Sequence, residues 1–380
     1  MSSSSNDDAS YCAVVLVGCG APLKSMGWYH AEQLLANKCA GAKLQYVVEP
    51  WYMNPASKGT PGYSEFQEWK TTQETTNGIQ FYQHVSDVPT ASEKEDDSKV
   101  RKLMAIISAR TADNPKLFQE CLKINCHTIF LEKPGAPSVG ELESMRDAAK
   151  EAGTMVYMGF NKNVSSYVQR TRDLAAATTQ GDEESCNVTF LHNNSYKQEE
   201  LPECFERCAE GMLKNMAIHE LAILATFYNV SVDTIATVQA DADYSSCQTL
   251  TGPSSGKPFT DFDKLKFQIT TKAGVSINVA ADRCGGDDSV GIVESEKEGL
   301  ARFTMPDETT VANIPTLEAE FPGAMPYFFT QDPDYREIKE RVAQSCLSGE
   351  PATGVATMDI GIESLKLAEY LTPLLQEQLL

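Results

Sequence analysis

A chain of 380 residues is longer than one ordinary domain, so two domains are expected. The net charge of −21 comes from 53 acidic and 32 basic residues, and such a surface repels nucleic-acid phosphates and anionic membranes. Hydrophobic residues make up 42% of the chain, but no apolar run is long enough to span a membrane. Residues 1–10 are polar and serine-rich, which predicts a disordered tail and favours a cytoplasmic location.

The first 160 residues alternate apolar, β-rich runs with helical patterns. Predicted strands cover residues 11–17, 43–49, 78–84, 103–108, 128–131 and 155–160, and predicted helices cover 27–36, 115–123 and 139–151. Strands that alternate with helices imply right-handed crossovers and a parallel sheet covered on both faces. We therefore predict a doubly wound domain over residues 11–160. A charged segment at 91–102 interrupts the pattern and is interpreted as a solvated surface loop.

Beyond residue 160 the pattern changes to longer β-rich runs. Predicted strands cover residues 186–192, 231–240, 264–271, 275–281, 291–295 and 299–304, and predicted helices cover 167–177, 211–228, 334–348 and 360–371. This succession is typical of a large, mostly antiparallel sheet that is open on one face and has helices on the other. The second domain, residues 161–380, is therefore predicted to be of the α/β class.

The eleven cysteines are an odd number scattered through predicted strands and helices. No Cys-x-x-Cys pair occurs, and Cys204 and Cys208 stand four residues apart without nearby histidines. The five histidines are also dispersed. We expect buried, reduced thiols, with neither a disulfide framework nor a metal site.

A glycine-rich turn, Gly18-Cys19-Gly20, follows the first predicted strand. In a doubly wound sheet, ligands bind at the carboxyl ends of the strands, and glycines there let a pyrophosphate approach the backbone and the next helix. The usual third glycine would fall at Leu23, and we expect Gly27 to take its role after a short insertion. The turn predicts a dinucleotide site.

Glu49 stands at the end of the second predicted strand. A carboxylate there accepts hydrogen bonds from both hydroxyls of the adenosine ribose and repels a 2′-phosphate. No arginine follows it; Pro50-Trp51-Tyr52 does instead. NAD is therefore the predicted cofactor, in preference to NADP.

Two further stretches carry candidate chemistry. Lys133 emerges from an apolar strand end and precedes Pro134, so its amine is expected to be partly desolvated, a setting that suits catalysis. Asn215 and His219 are four residues apart on a predicted helix, where such residues are neighbours. We predict that Lys133, His219 and Asn215 are the catalytic residues.

These residues resemble a known family. The Gly-x-Gly turn, Glu49, the Glu132-Lys133-Pro134 tripeptide, Gly159-Phe160-Asn161 and the helix with His219 are similar to the glucose–fructose oxidoreductase/inositol dehydrogenase/rhizopine catabolism (Gfo/Idh/MocA) family over nearly the whole chain. The resemblance implies a Rossmann domain and an α/β domain whose open sheet serves oligomerisation, as a homodimer or homotetramer. It also implies that the final helix, about 360–371, packs back on the first domain.

The resemblance implies an NAD(P)-dependent dehydrogenase or reductase acting on a CH–OH group of a sugar, cyclitol or related polyol. Lys133 would contact the reacting oxygen and His219 would exchange its proton. Asn215 stands where the family has aspartate; an amide can orient a substrate but cannot take a proton. The predicted cofactor-binding residues are Gly18, Gly20, Gly27, Glu49, Ser108, Glu132, Lys133 and Asn161.

Two alternatives stay open. One is a reductase of an imine or keto acid, whose carboxylate would bind Lys162, Lys197 or Arg283. The other is a catalytically silent NAD-binding sensor or assembly protein. Further candidates for the pocket around a small-molecule substrate are Tyr157, Asn161, Lys162, Tyr196 and Lys197.

Overall fold

The structure is a computed structural model that describes residues 11–90, 102–179, 186–296 and 299–380. The predicted tail at 1–10 and nearly all of the predicted charged loop at 91–102 lie outside these residues. The chain forms two compact units. The first runs up to Gly159 and includes Leu317–Phe328 and Asp332–Met358; the second comprises Phe160–Thr316, Phe329–Gln331 and Asp359–Leu380.

The elements are numbered in chain order within the described residues. The strands are β1 (Cys12–Val17), β2 (Ala42–Val48), β3 (Gln80–Tyr82), β4 (Leu103–Ile107), β5 (Thr128–Leu131), β6 (Met155–Met158), β7 (Asn187–Asn193), β8 (Ile235–Ala240), β9 (Ser246–Thr251), β10 (Pro258–Thr271), β11 (Ser276–Asp282), β12 (Ser289–Ser295) and β13 (Gly299–Met305). The α-helices are α1 (Met26–Leu35), α2 (Tyr63–Asn77), α3 (Asn114–Lys123), α4 (Val139–Ala152), α5 (Ser166–Thr178), α6 (Leu201–Arg207), α7 (Met212–Asn215), α8 (Ile218–Phe227), α9 (Glu308–Glu320), α10 (Pro326–Thr330), α11 (Asp332–Ser348) and α12 (Met358–Leu379).

The first unit is built on a parallel sheet with the strand order β3-β2-β1-β4-β5-β6. Every residue of β1 and β4 is buried because helices cover both faces, which explains why these strands are continuous apolar runs. The order reverses between β1 and β4, so their carboxyl ends border the crevice where such sheets bind ligands. The predicted Rossmann architecture is confirmed.

The second unit is built on a sheet with the order β13-β12-β7-β11-β10-β8, to which β9 adds by pairing with β10. Strands β7 and β11 are parallel, whereas the other pairs are antiparallel. Alternate residues such as Phe190, Phe267 and Val279 point into one hydrophobic core beneath the helices. The predicted mostly antiparallel sheet is confirmed.

Helix α11, which comes late in the chain, covers the sheet of the first unit and packs on β1, β2, β4 and β5. The prediction assigned this role to residues 360–371. Instead, α12 places Leu367, Ala368 and Leu371 in the core of the second unit. Both helices carry an apolar face, and helical periodicity alone does not specify which sheet that face covers.

The predicted helix at 211–228 is two helices in the structure. Helix α7 ends at Asn215 and α8 begins at Ile218, with a turn at residues 216–217 between them. The backbone N–H of Ala217 bonds the carbonyl of Met212, five residues back, at 3.0 Å, so the α-helical ladder is interrupted there. Neither glycine nor proline marks this break.

Within the described ranges, no helix is both long and apolar enough to cross a membrane. The same ranges hold no grouping of three or more His, Cys, Asp or Glu side chains that could bind a metal ion. All eleven cysteines lie in described residues, and each is a free thiol.

Candidate active site

The glycine turn after β1 brings two strand ends into close contact. Gly18 and Gly20 have φ values of +82° and +72°, a left-handed conformation that favours glycine. A Cβ atom on Gly18 would lie 2.7 Å from the backbone of Ala109, just beyond β4. The N–H of Ser108 donates to the carbonyl of Val17 at 2.8 Å, so Ser108 also lies at this edge. The structure therefore brings three predicted cofactor residues together.

Gly27 allows α1 to pack directly on the turn. A Cβ atom on Gly27 would overlap the carbonyl oxygen of Gly18, so a larger residue would push the helix away. The short insertion before α1 forms a helical turn, in which Ser25 Oγ accepts the N–H of Ala21 at 2.9 Å. The first turn of α1, whose N–H groups lack partners within the helix, is thus held close to the strand end.

Glu49 lies just beyond β2 with its carboxylate turned towards the glycine turn. It accepts the N–H of Gly20 at 2.7 Å and that of Trp51 at 3.1 Å. Burial raises the pKa of Glu49, and these backbone donors counteract that effect. Carboxylate oxygens can each accept more than one hydrogen bond, so ribose hydroxyls can still be bound. The residues at this edge fit a dinucleotide.

Glu132 and Lys133 follow β5, the next strand of the same sheet. The backbone N–H of Glu132 donates to the carbonyl of Ile107 at 2.9 Å, which places the pair at the same edge. A Cβ atom on Gly159 would lie 2.9 Å from the Glu132 carboxyl carbon, so the glycine makes room for this side chain. Lys133 is half-buried and is joined to Pro134 by a cis peptide bond.

A buried polar cluster of Glu132, His30 and Lys339 lies beneath this edge. His30 Nε2 is 2.9 Å from Glu132 Oε1, and its Nδ1 is 3.0 Å from Lys339 Nζ. Because an ammonium donates, Nδ1 is the acceptor and Nε2–H donates to the carboxylate. Burial, aided by the charge of Lys339, lowers the pKa of His30 to about 4. His30 is therefore a neutral connector that holds Glu132.

In the second unit, His219 is buried near the start of α8. Its ring packs edge-to-face on Phe160, with centroids 5.8 Å apart, and lies 6.2 Å from the ring of His192 on β7. Asn215 belongs to the preceding helix, and its Nδ2 donates to Glu210 at 2.9 Å. The prediction that Asn215 and His219 share one helix face is wrong, because the helix breaks between them.

Sequence reasoning missed a buried ionic cluster that adjoins His219. Glu220 is 0% exposed; its Oε1 accepts from Lys162 Nζ at 2.7 Å, and its Oε2 is 3.1 Å from His192 Nδ1. Burial raises the pKa of Glu220, but Lys162 and His192 outweigh it and hold that pKa well below its usual range. The carboxylate is therefore ionised. The available signal was a glutamate inside the otherwise apolar run of α8.

The three cationic residues proposed to bind a substrate carboxylate lie in different environments. Arg283 is fully buried, and its guanidinium bonds Asp261 at 2.7 Å and the Phe262 carbonyl at 3.1 Å. The ammonium of Lys162 is paired with Glu220, whereas Lys197 is exposed. The structure therefore gives Arg283 a role in the core of the second unit, contrary to the prediction.

The remaining predicted pocket residues make structural contacts. The Tyr157 hydroxyl lies 2.7 Å from Ser345 Oγ, which ties β6 to α11. The Tyr196 hydroxyl accepts from Arg207 at 2.8 Å. Asn161 is fully buried in the 3-10 turn Asn161–Val164 of the second unit, where its Nδ2 donates to Gln331 at 3.0 Å.

Several solved structures share this fold across nearly their whole length. An apo scyllo-inositol dehydrogenase from Lactobacillus casei matches with a TM-score of 0.65 and 14% identity over 97% of each chain. A myo-inositol 2-dehydrogenase from Lactobacillus plantarum matches with a TM-score of 0.64 and 16% identity over 98% of this chain and 97% of its own. A myo-inositol dehydrogenase from Corynebacterium glutamicum matches with a TM-score of 0.63 and 18% identity over 97% and 96%.

A further structure of the L. casei enzyme contains NAD(H) and scyllo-inositol. At identities this low, the likeness establishes a common fold. No protein-family model matches the chain, and no curated protein is significantly similar to it in sequence.

Proposed function

We propose that the protein is an NAD-dependent oxidoreductase that transfers a hydride between nicotinamide and a carbinol or carbonyl carbon of a sugar, cyclitol or related polyol. The observation that carries the proposal is the strand-end site of the first unit: Gly18 and Gly20 in the left-handed conformation, Gly27 against the turn and Glu49 beside it. The fold shared with inositol dehydrogenases supports the substrate class.

In this proposal the glycine turn and the first turn of α1 receive the pyrophosphate. Glu49 accepts hydrogen bonds from the hydroxyls of the adenosine ribose, and its negative charge disfavours the 2′-phosphate of NADP. Ser108, Glu132 and Asn161 complete the proposed cofactor set. Bound nicotinamide supplies or accepts the hydride, which is the part of the chemistry that side chains cannot perform.

The side chains of the proposed site manage the oxygen and its proton. Lys133 stabilises the developing alkoxide, and His219 exchanges the hydroxyl proton, help that is typically worth about 10²–10⁴-fold in rate. Asn215 is proposed to orient the substrate while Glu210 holds its amide group. Family membership and assembly as a homodimer or homotetramer through the open sheet belong to the same proposal.

The test begins with cofactor binding. NADH and NADPH are titrated into the protein while nicotinamide fluorescence is followed, and tighter binding of NADH is expected. Loaded protein is then tested against polyols, sugars and 2-keto acids for a change in nicotinamide absorbance. Turnover of keto acids alone would favour the carboxylate alternative, and failure of either nicotinamide to bind would overturn the proposal.

The role of Lys133 has its own control. Lys133→Ala should abolish turnover while NADH still binds, because the main role proposed for the amine is to act on the reacting oxygen. Lys150→Ala, an exposed lysine on α4, should change neither. Full turnover by Lys133→Ala would contradict the assignment.

A further inference from the structure

We propose that His192 is a second proton carrier of this site, oriented by Glu220, and that it passes to solvent the proton that His219 removes from the substrate hydroxyl. This inference rests on the proposed function and adds to it a residue and a direction of proton flow. It starts from the Lys162–Glu220–His192 cluster, which the chemistry assigned to Lys133, His219 and Asn215 does not use.

The contact with Glu220 determines the chemical form of the His192 ring. An ionised carboxylate only accepts hydrogen bonds, so Nδ1, at 3.1 Å from Oε2, carries the hydrogen. In the neutral ring, Nε2 is then the proton acceptor. An imidazole held by a carboxylate in this way is the arrangement that orients general bases in many hydrolases.

Lys162 completes the arrangement by keeping Glu220 charged. Its side chain is 2% exposed, and its ammonium lies 2.7 Å from Glu220 Oε1, whereas His192 contacts the other carboxylate oxygen. Buried ion pairs contribute little net stability compared with apolar residues of similar size. A lysine and a glutamate buried together next to His219 are better explained by control of the neighbouring imidazole than by stability.

The two imidazoles differ in exposure in the sense that the proposal requires. His192 is half-buried, whereas His219 is buried and packs on Phe160. Their ring centroids are 6.2 Å apart at an interplanar angle of 77°, so the rings are neighbours, and the proposal passes the proton between them through one water molecule. Proton flow from His219 to His192 therefore leads from the more enclosed ring to the more accessible one.

Charged and titratable groups from three parts of the second unit surround His192. Helix α8 contributes the Glu220 carboxylate and the ring of His219, and the Asn161–Val164 turn contributes Lys162. The loop before β12 contributes Asp287: burial raises the pKa of this carboxyl, and the charges of His192 and Lys162 oppose that effect. Two carboxylates near the ring thus offset one ammonium.

Atoms and electrons balance in the oxidation direction. The substrate O–H bond breaks and its proton joins His219 as the carbonyl forms; a nicotinamide held by the glycine turn and Glu49 would accept the hydride from the carbon. The His219 imidazolium then loses a proton to a bridging water, which gives one to His192 Nε2. His192 releases that proton to solvent, and both rings return to the neutral form.

The first test compares His192→Asn with His84→Asn, which changes an exposed histidine of the first unit. Asparagine can hydrogen-bond but cannot carry a proton, so kcat should fall by about 10²-fold with KM and NADH binding unchanged. Added imidazole should restore part of the activity of a His192→Gly variant. A rise in KM with kcat intact would show that His192 only binds substrate, and an unchanged kcat would overturn the proposal.

A second readout does not depend on turnover. Magnetic resonance of isotope-labelled histidine rings, with His192→Asn as the assignment reference, should show His192 as the Nδ1–H tautomer. Glu220→Asp should keep this tautomer and most of the activity, whereas Glu220→Gln should lower the pH at which His192 titrates. The Nε2–H tautomer in the unaltered protein would overturn the proposal even if turnover is observed.

These readouts separate two failures. If the unaltered protein binds NADH but turns over no alcohol or carbonyl compound, the proposed function and this inference fail together. If it is active and His192→Asn is equally active, only the role of His192 fails.

Discussion

The first and second units each hold a lysine, a histidine and a carboxylate in contact, but they connect these groups in a different order. In the first unit His30 is in the middle, between Lys339 and Glu132. In the second unit the carboxylate is in the middle, because Glu220 contacts both Lys162 and His192. Because the three chemical groups are the same in both clusters, their different ionisation follows from which group contacts the other two.

A histidine in the middle becomes a neutral connector. Burial and the adjacent ammonium of Lys339 lower the pKa of His30 to about 4, despite the opposing effect of Glu132. A carboxylate in the middle becomes a fixed charge, since its contacts with Lys162 and His192 outweigh the effect of burial on its pKa. The first cluster therefore fixes the position of the Glu132 carboxylate. In the second cluster, Glu220 places a negative charge beside the His192 ring. Three predictions test this contrast and one tests the glycine turn beside the first cluster; they begin with the largest effect.

Glu220→Gln should lower the free energy of unfolding by about 3–5 kcal/mol, because it leaves the Lys162 ammonium buried without a counter-charge. Chemical denaturation measures the change. The control is Glu369→Gln, which breaks the partly exposed Lys214–Glu369 pair (2.6 Å) and should cost at most about 1 kcal/mol. Equal losses in the two variants would contradict a charged second cluster.

The first cluster should respond to pH. The pKa of His30 is lowered from 6.5 in the unfolded chain to about 4 in the folded protein. The stabilisation that the neutral ring contributes is therefore complete above pH 6.5 and is lost as pH falls towards 4, because the unfolded chain takes up the proton first. The free energy of unfolding should decrease by about 3 kcal/mol across that window through this group. The free energies of unfolding of the unaltered protein and of His30→Gln should therefore differ less at low pH than at pH 7. Glu220, whose pKa is lowered from 4.5, should add to the loss only as pH falls below about 5, so the slope between pH 6.5 and about 5 isolates His30.

Gly27→Ala should cost about 1–3 kcal/mol and weaken NADH binding, because the new methyl group displaces α1 from the glycine turn. Thermal unfolding and nicotinamide fluorescence measure the two effects. Gly140→Ala on α4 is the matched control: its methyl group would meet open space, so a gain of up to about 1 kcal/mol is expected. Unaltered NADH binding in Gly27→Ala would contradict the proposed site.

Glu132→Gln should have the smallest effect, about 1 kcal/mol or less, since neutral His30 can still donate a hydrogen bond to an amide oxygen. Glu132→Ala should cost more, about 1–3 kcal/mol, because it leaves the buried His30 N–H without an acceptor. Denaturation curves of both variants decide the order. A loss in Glu132→Gln as large as in Glu220→Gln would show that His30 is charged in the folded protein.

Local signals explain the parts of the molecule that sequence reasoning predicted. Apolar runs that alternate with helical periods specify the strands of the first sheet, and Gly27 is recognisable because a third glycine is needed near the turn. The error at Asn215 has a physical cause. The apolar pattern of residues 216–224 continues through the helix break, so the spacing of apolar residues predicts one continuous helix.

The Glu220 cluster was beyond local reasoning. His192 and Glu220 are 28 residues apart, and their contact depends on β7 lying between β12 and β11 in the sheet. Lys339 contacts His30 across 309 residues, a pairing that depends on α11 covering the first sheet. Such contacts follow from the order of strands and the destination of helices, which periodicity does not specify.

The position of α11 also has a consequence during synthesis. The first unit needs Ile338, Val342 and Cys346 to cover a sheet whose strands all precede residue 160. On the ribosome, that apolar surface emerges long before its cover is translated. A nascent chain must therefore keep the sheet of the first unit protected until α11 is made, and a fragment that ends near residue 160 should aggregate rather than fold.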